Sequence, residues 1–511
     1  MLSQPAHKME RDLVIRQLVV VLGVPIDNLS MAETLDRLEN FVTSGRATGK
    51  SHQVATVNAD FVVKAMSDPE LRYLLQESDM ALADGMPLVW GGRLLGVSMA
   101  ERVAGSDLIP RLAERAADCG YSIYLLGAEP GVSASAAEIL QEQYPGLKIV
   151  GIQSPPYSSV LEMDPAIIED IKAADPDILL VAFGNPKQEK WIGMHRRELS
   201  VPVMIGVGAT LDFIAGHRKR APKWMQIVGL EWFHRLVQEP RRLWRRYVVD
   251  LVAFSAFFIR QWWIMRRGFK PVTLLPVEDA VVVNNTAILT LRGRLTVENY
   301  RPFYEIGQRA LHTTSTLVIN MAQAEFLDSS AIGLLIELAR QARSNGGELW
   351  LASVPAEIER TLSILRLDKF FVFSPTVEQV LEQKGIFFEA EAAEAAQAVP
   401  TVETTADQAV SGPAWAVLKL PRRLDAQTAP DVLEQCQAAL AQNPHLILDL
   451  TETVFLASAG LAVLARLNRE AKEMAGELRM ANCAKDVLKV IQMVRFDKIL
   501  ALFDDIPSAS A

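Results

Sequence analysis

The sequence predicts an α/β protein: a Rossmann-like domain with a basic helical appendage, then two small α/β domains. Three observations predict this. Up to about residue 216, short apolar β-rich runs alternate with amphipathic helical stretches. From 217 to 267 the texture changes to long Trp- and Arg-rich helical patterns. Beyond that, the chain aligns with itself at a shift of about 129 residues, the mark of a tandem duplication.

In the first part, the runs 53–57, 123–126, 178–182 and 203–207 are apolar and bounded by Gly, Asn or Asp, as buried parallel strands are. Amphipathic stretches such as 135–143 and 187–198 lie between them. Residues 44–51, Ser-Gly-Arg-Ala-Thr-Gly-Lys-Ser, imitate a phosphate loop. Their order of helix before and strand after is the reverse of what a phosphate cradle requires. No G-x-G-x-x-G follows a strand, which argues against a dehydrogenase.

Residues 268–279 form a connector with two prolines. The duplicated unit then occupies 280–387 and 414–511, separated by an Ala/Glu/Thr-rich linker at 388–413. The shift places Leu295 on Leu424, Phe326-Leu327 on Phe455-Leu456, Ser329 on Ser458 and Asp368-Lys369 on Asp497-Lys498.

Composition narrows the function. The 511 residues carry a net charge of −9, yet residues 217–270 hold thirteen Lys/Arg against three acids. Such a block suits an anionic membrane surface or a diphosphate; no recognition motif accompanies it that would suit nucleic acid. The run 248–265 is apolar but broken by Asp250 and Arg260, so a helix lying in the membrane interface is expected rather than a span. Three separated cysteines, Cys119, Cys436 and Cys483, argue for a reducing compartment without disulfides or zinc. Residues 1–17 lack the apolar stretch of a signal peptide, so a cytoplasmic protein, peripheral on the inner face of the cell membrane, is expected.

Open α/β sheets bind ligands at the C-terminal ends of their strands. Polar groups cluster there: Thr56 and Asn58 after the first clear strand, Asp84 in an Asp-Gly-Met-Pro turn, and Arg102 before a helix. Gly127 opens a Gly-Ala-Glu-Pro-Gly link suited to a nucleotide, and Gln188 lies in Gly-Asn-Pro-Lys-Gln-Glu-Lys. These segments continue in order through Asp212-Phe213, residues 220–224, Gly229-Leu230-Glu231-Trp232 and residues 239–242.

Together they closely resemble the WecG/TagA/CpsF glycosyltransferase family from about Val24 to Arg246. The resemblance implies an inverting, metal-independent enzyme without cofactor. It would move a hexose or N-acetylhexosamine from a UDP-sugar donor to an undecaprenyl-diphosphate-linked acceptor in surface or exopolysaccharide synthesis. It also implies Asp84 as general base, with Asp107 and Asp212 as rivals, and Thr56, Asn58, Arg102 and Gln188 as substrate-binding residues. Gly127 and Asp212 join the candidate substrate contacts. Arg235, Arg241, Arg242, Arg245 and Arg246 would meet the lipid diphosphate and the membrane. The alternative is an inactive sugar-nucleotide sensor or scaffold.

The duplicated unit, with Phe326-Leu327-Asp328-Ser329-Ser330-Ala331 before a helix, resembles STAS domains of anti-sigma-factor antagonists. That resemblance implies Ser330 as a phosphorylation site and a protein partner or kinase. A phosphate at a helix N-terminus would meet free N–H groups. In the second copy Ala457 and Ala459 replace Asp328 and Ser330, so switching is not expected there. Assembly with a second copy of the chain stays open. The division further predicts that a fragment ending near Phe269 works alone.

Overall fold

The computed structural model describes residues 17–510 apart from 156–163, 165, 219, 228–229, 239, 268–278, 385–414, 426–427, 475 and 494–499. Both expected linkers, at 268–279 and 388–413, therefore lie outside the described residues except for Asp279.

The chain opens with an antiparallel hairpin, β1 (Leu18–Val21) and β2 (Val24–Asp27), followed by α1 (Met31–Thr48). Ser30 and Glu33 form a reciprocal capping box at the start of α1, and Gly49 ends it in the left-handed conformation. The false phosphate loop is therefore the end of a helix. Next come β3 (His52–Val57), α2 (Ala59–Ser67), α3 (Pro69–Glu77), β4 (Met80–Ala83), α4 (Met86–Leu94) and α5 (Gly105–Cys119). The domain continues with β5 (Ser122–Gly127), α6 (Val132–Gln143), β6 (Lys148–Gln153), α7 (Ala166–Ala174), β7 (Ile178–Ala182), α8 (Lys187–Leu199), β8 (Val203–Gly206) and α9 (Thr210–Ile214). Strands β3 to β8 make one parallel sheet in the order β4-β3-β8-β7-β5-β6. From β3 the chain steps to one edge at β4 and re-enters on the other side at β5. The crevice between these two directions opens at the C-terminal strand ends.

The appendage is helical: α10 (Lys223–Ile227), α11 (Glu231–Gln238) and α12 (Pro240–Arg267). One side of α12 buries Phe254, Phe258, Gln261 and Met265. Its other side leaves Trp244, Val248, Val252, Ile259 and Trp263 more than half exposed. Among the described residues, no helix is long and apolar enough to cross a membrane.

The first repeat holds β9 (Val281–Val283), β10 (Thr286–Leu295), α13 (Tyr300–Thr313), β11 (Thr316–Leu327), α14 (Ser329–Ser344), β12 (Leu349–Ala352), α15 (Ala356–Ile364), β13 (Val372–Ser374) and α16 (Val377–Gln383). Its sheet runs β13-β12-β11-β10-β9, parallel except for β9. In the second repeat the helices Ala429–Gln442, Ser458–Glu473 and Lys485–Met493 occupy the positions of α13, α14 and α15 at the same offset of 129. The duplication read in the sequence is therefore a duplication of structure.

The packing departs from the expected division in one respect. A single buried cluster runs from Val19, Val20 and Val21 through Phe258 of α12 to Leu335, Ile336 and Phe371 of the first repeat. Strand β1 lies directly on α14: the Ser329 hydroxyl donates to the Val20 carbonyl at 2.9 Å and accepts from the Val20 N–H at 2.8 Å. Gln261 of α12 holds the same strand, donating to Val20 O at 2.7 Å and accepting from Leu22 N–H at 2.8 Å. Arg343 pairs with Glu77 across the junction. The first repeat thus completes the core of the N-terminal half and is not a tethered module.

This placement also changes the reading of the Asp-Ser-Ser segment. Asp328 caps α14 by accepting from Ala331 N–H at 2.8 Å. Ser330 is only 7% exposed and α14 is covered by β1. Its neighbour Ser329 is the residue bonded to β1.

Candidate functional site

The polar residues of the first half meet where the strands end. Asn58 caps α2, its side-chain oxygen accepting from Phe61 N–H at 3.2 Å. Asp84 follows β4, and its N–H donates to Val57 O at 2.8 Å, which ties the Asp-Gly turn to the end of β3. A Cβ on Gly85 would sit 3.6 Å from the Asn58 Cβ, so the two loops touch. The Asp84 carboxylate accepts from Gly105 N–H, the first residue of α5, at 3.1 Å. The positive end of that helix favours the anion.

A charged network borders this pair. Arg102 reaches Glu231 of α11 at 2.9 Å and Asp107 at 3.1 Å. Arg220 grips Asp107 in a bidentate pair at 2.6 and 2.7 Å. Burial opposes ionisation of Asp107, yet Arg220 and Arg102 hold its carboxyl below the usual range. Burial likewise works against the Arg220 charge, and Asp107, Glu231 and Asp84 together hold its proton more firmly than usual. Asp107 thereby serves as the shared partner of two guanidinium groups. The other rival, Asp212 on α9, has Arg218 at 3.6 Å. Arg220 and Glu231, which carried no role in the sequence reading, are the members that tie the appendage to the strand ends. Their signal was an arginine and a glutamate inside ordered motifs of a basic segment.

Thr56 and Gln188 are at the same edge but face inward. Thr56 is 5% exposed and donates to Gly206 O at 2.9 Å. Gln188 is 1% exposed; its carbonyl accepts from Gly184 N–H at 3.1 Å and Gly208 N–H at 3.0 Å. Thr56 thereby ties β3 to the end of β8, and Gln188 holds the loops after β7 and β8, so both lie at the strand ends where the sequence placed them. Gly127 ends β5 with φ of +100°, and a Cβ there would strike Phe183 and Ala182, so only glycine fits. Arg241 is exposed, whereas the side chains of Arg235, Arg242, Arg245 and Arg246 lie outside the described residues. The chain's single Asp-x-Asp triplet, Asp175-Pro176-Asp177, lies just before β7 at the opposite edge, where Arg46 pairs with both carboxylates at 2.7 and 2.6 Å.

Glu189 was not anticipated. It accepts from the Gln188 amide at 2.8 Å, and its other oxygen is buried without a partner. Burial pushes its carboxyl up to about 7, with the Gln188 bond pulling the other way. A folded-state value above the unfolded one means that the group's contribution is fully present below the unfolded pKa. It is lost as pH rises through about 7. The expected loss is on the order of 3 kcal/mol. Glu189→Gln should therefore gain stability on wild type from pH 5 to pH 8 in urea unfolding. A constant difference across that range would refute the buried-acid assignment.

A parallel α/β sheet with a carboxylate and guanidinium groups at its switch crevice defines an enzyme domain of the ligand-binding α/β class, here joined to a duplicated small domain. Comparison with known proteins makes this specific. The family model "Glycosyl transferase WecG/TagA/CpsF family" matches residues 19–268, and the STAS domain model matches 279–380 and 404–509. The N-acetylglucosaminyldiphosphoundecaprenol N-acetyl-beta-D-mannosaminyltransferase of Bacillus subtilis (strain 168) is 32% identical over 231 residues, 45% of this chain and 87% of that protein. The protein of the same name from Staphylococcus aureus (strain MW2) is 28% identical over 238 residues, 46% of this chain and 91% of that protein. The chain belongs to the WecG/TagA/CpsF glycosyltransferase family and carries two STAS domains.

Proposed function

We propose that the protein transfers an N-acetylhexosamine-type sugar from a UDP-sugar to an undecaprenyl-diphosphate-linked acceptor, with inversion and without a metal. The observation that carries this reading is the Asp84 carboxylate, held at the N-terminus of α5 beside Asn58 and within the field of Arg220. The names of the relatives support the acceptor class and the N-acetylhexosamine.

In the proposed reaction Asp84 takes the proton of the acceptor hydroxyl. The freed oxygen attacks the anomeric carbon, and the bond to the β-phosphate breaks on the opposite face, UDP leaving with the electron pair. Arg102 and Arg220 offset the negative charge that develops on the diphosphate. Glu231 and Asp107 keep those guanidinium groups in place until substrate arrives. Thr56, Asn58 and Gln188, at the same strand ends, would contribute to binding the substrates. The test is incubation with lipid-linked N-acetylglucosamine acceptor and a panel of UDP-sugars, with products identified by mass spectrometry. A transferred N-acetylhexosamine in the presence of EDTA supports the reading. Absence of any UDP release, or full loss in EDTA restored by Mn²⁺, overturns it.

The exposed apolar side of α12 and the basic residues of its first turns would rest in the interface of an anionic membrane. Each Lys or Arg near such a surface contributes about 1 kcal/mol. Replacing Arg241, Arg242, Arg245 and Arg246 with Glu is expected to weaken binding to anionic vesicles by at least about 10²-fold in sedimentation assays. Unchanged binding at both low and high salt would point to insertion of the apolar side alone. The STAS domains would couple the transferase to a protein partner or kinase. Ser330 would be the residue that accepts phosphate.

A further inference from the structure

A cleft of about 430 Å³ opens between the β1–β2 turn, α3, α12 and the loop after α15. Four cationic residues line it, Arg72, Arg260, Arg366 and Lys369, against one acid, Asp368. Arg72 is only 8% exposed, and it donates a hydrogen bond to a neutral group, the Ala65 carbonyl, at 3.2 Å. Among the described residues no carboxylate lies within ion-pair distance of Arg72, Arg260 or Arg366. A buried guanidinium facing a second guanidinium is costly unless an anion joins them. Burial first, then the Arg366 charge, draws the Arg72 proton affinity below its ordinary value, while Asp368 and Asp68 offset this in part.

We propose that this cleft binds a phosphate-type oxyanion, gripped between Arg72 and Arg366 with Arg260 at its mouth. Planar guanidinium groups match phosphate oxygens in pairs of hydrogen bonds, and the volume suits a phosphate monoester or diester head. Leu22, Met66 and Phe257 supply an apolar wall for the glycerol or chain attached to it. The site is separate from the catalytic edge: α2 leads from Asn58 to Met66, about 12 Å at the helical rise. Because α3, α12 and the first STAS domain all contribute, a bound anion would fasten the three together. Two sources carry this chemistry, a soluble phosphate ester and the headgroup of an anionic phospholipid beside α12. The headgroup source rests on the membrane reading above; the soluble one does not.

The test uses the full chain. Its unfolding temperature is measured in sn-glycerol 3-phosphate, in inorganic phosphate and in sodium chloride of equal ionic strength. The same is done for Arg72→Met and Arg366→Gly. Arg366 has φ of +55°, so glycine fits its backbone, and Arg72→Met removes an unpaired buried charge, so both variants should fold. The wild type should gain about 2 °C or more over chloride, and neither variant should. In parallel, Arg366→Gly and Arg260→Gln are compared with wild type on phosphatidylglycerol and phosphatidylcholine vesicles. A soluble-phosphate shift with unchanged vesicle binding assigns a free ester. A several-fold loss of phosphatidylglycerol binding in the variants, with competition by glycerol phosphate, assigns the headgroup. No phosphate-specific shift together with unchanged vesicle binding, or an equal shift in wild type and variants, overturns the site. No readout depends on transferase turnover, so the outcome is independent of the catalytic assignment.

Discussion

Asp84→Asn is expected to lower transferase turnover by about 10²–10⁴-fold while UDP binding and the unfolding temperature stay near wild type. The substitution is close to isosteric, and the asparagine side-chain oxygen can still accept the hydrogen bond from Gly105 N–H. What it removes is the capacity to hold a proton taken from the acceptor. Asp107→Asn gives the contrasting result. That residue binds Arg220 through both oxygens and also meets Arg102, so its loss should disturb two guanidinium groups and raise KM along with lowering stability. Single-turnover kinetics on both variants separate the cases. Turnover of Asp84→Asn within a few-fold of wild type would remove Asp84 from the role of base, and Asp212 would become the next carboxylate to test.

The second large effect concerns the junction of the two halves. A chain cut after Arg267 should aggregate or unfold on expression, in contrast to the autonomy its sequence suggests. Strand β1 contributes Val19, Val20 and Val21 to the core it shares with α14, every one of them at most 1% exposed. Re-exposing a buried Val or Leu costs about 1.5–3 kcal/mol. Two or three of them rival the 5–15 kcal/mol, roughly, that holds a typical domain folded. A milder probe keeps the whole chain. A Cβ on Gly333 would lie 2.7 Å from the Leu18 Cβ and 3.1 Å from the Leu18 carbonyl oxygen. Gly333→Val should therefore force α14 from β1 and lower the unfolding temperature by several degrees. It should also make Ser329 and Ser330 accessible to a kinase or to limited proteolysis nearby. A soluble, cooperative fragment ending at Arg267, together with a Gly333→Val chain of wild-type stability, would restore the modular reading.

The same contact shows what local sequence carries and what it does not. Apolar runs such as Ile178–Ala182 are buried on both faces wherever they sit in a sheet, so their composition alone announced parallel strands. The repeat was legible because both copies need the same apolar and glycine positions, and α13, α14 and α15 recur at one offset. Asp84 and Asn58 were legible as candidates because each follows a strand, where an open sheet gathers ligands, and Arg102 because it leads into a helix beside them.

Other facts depend on partners far along the chain, and no local period records them. Ser329 reads as a helix-start serine, but its hydroxyl meets Val20, 309 residues away. Gln188 has the polarity of a ligand contact, and only the fold turns both ends of its amide toward Glu189 and the loops of Gly184 and Gly208. Arg72 sits in an ordinary amphipathic helix, and its exposure to Arg366 exists only once the first STAS domain has docked. A side chain's type is set by the sequence, but its solvation is set by whatever the folded chain brings against it. The strands, the repeat and the catalytic candidates depend on the first. The shared core, the covered Ser330 and the unpaired Arg72 depend on the second.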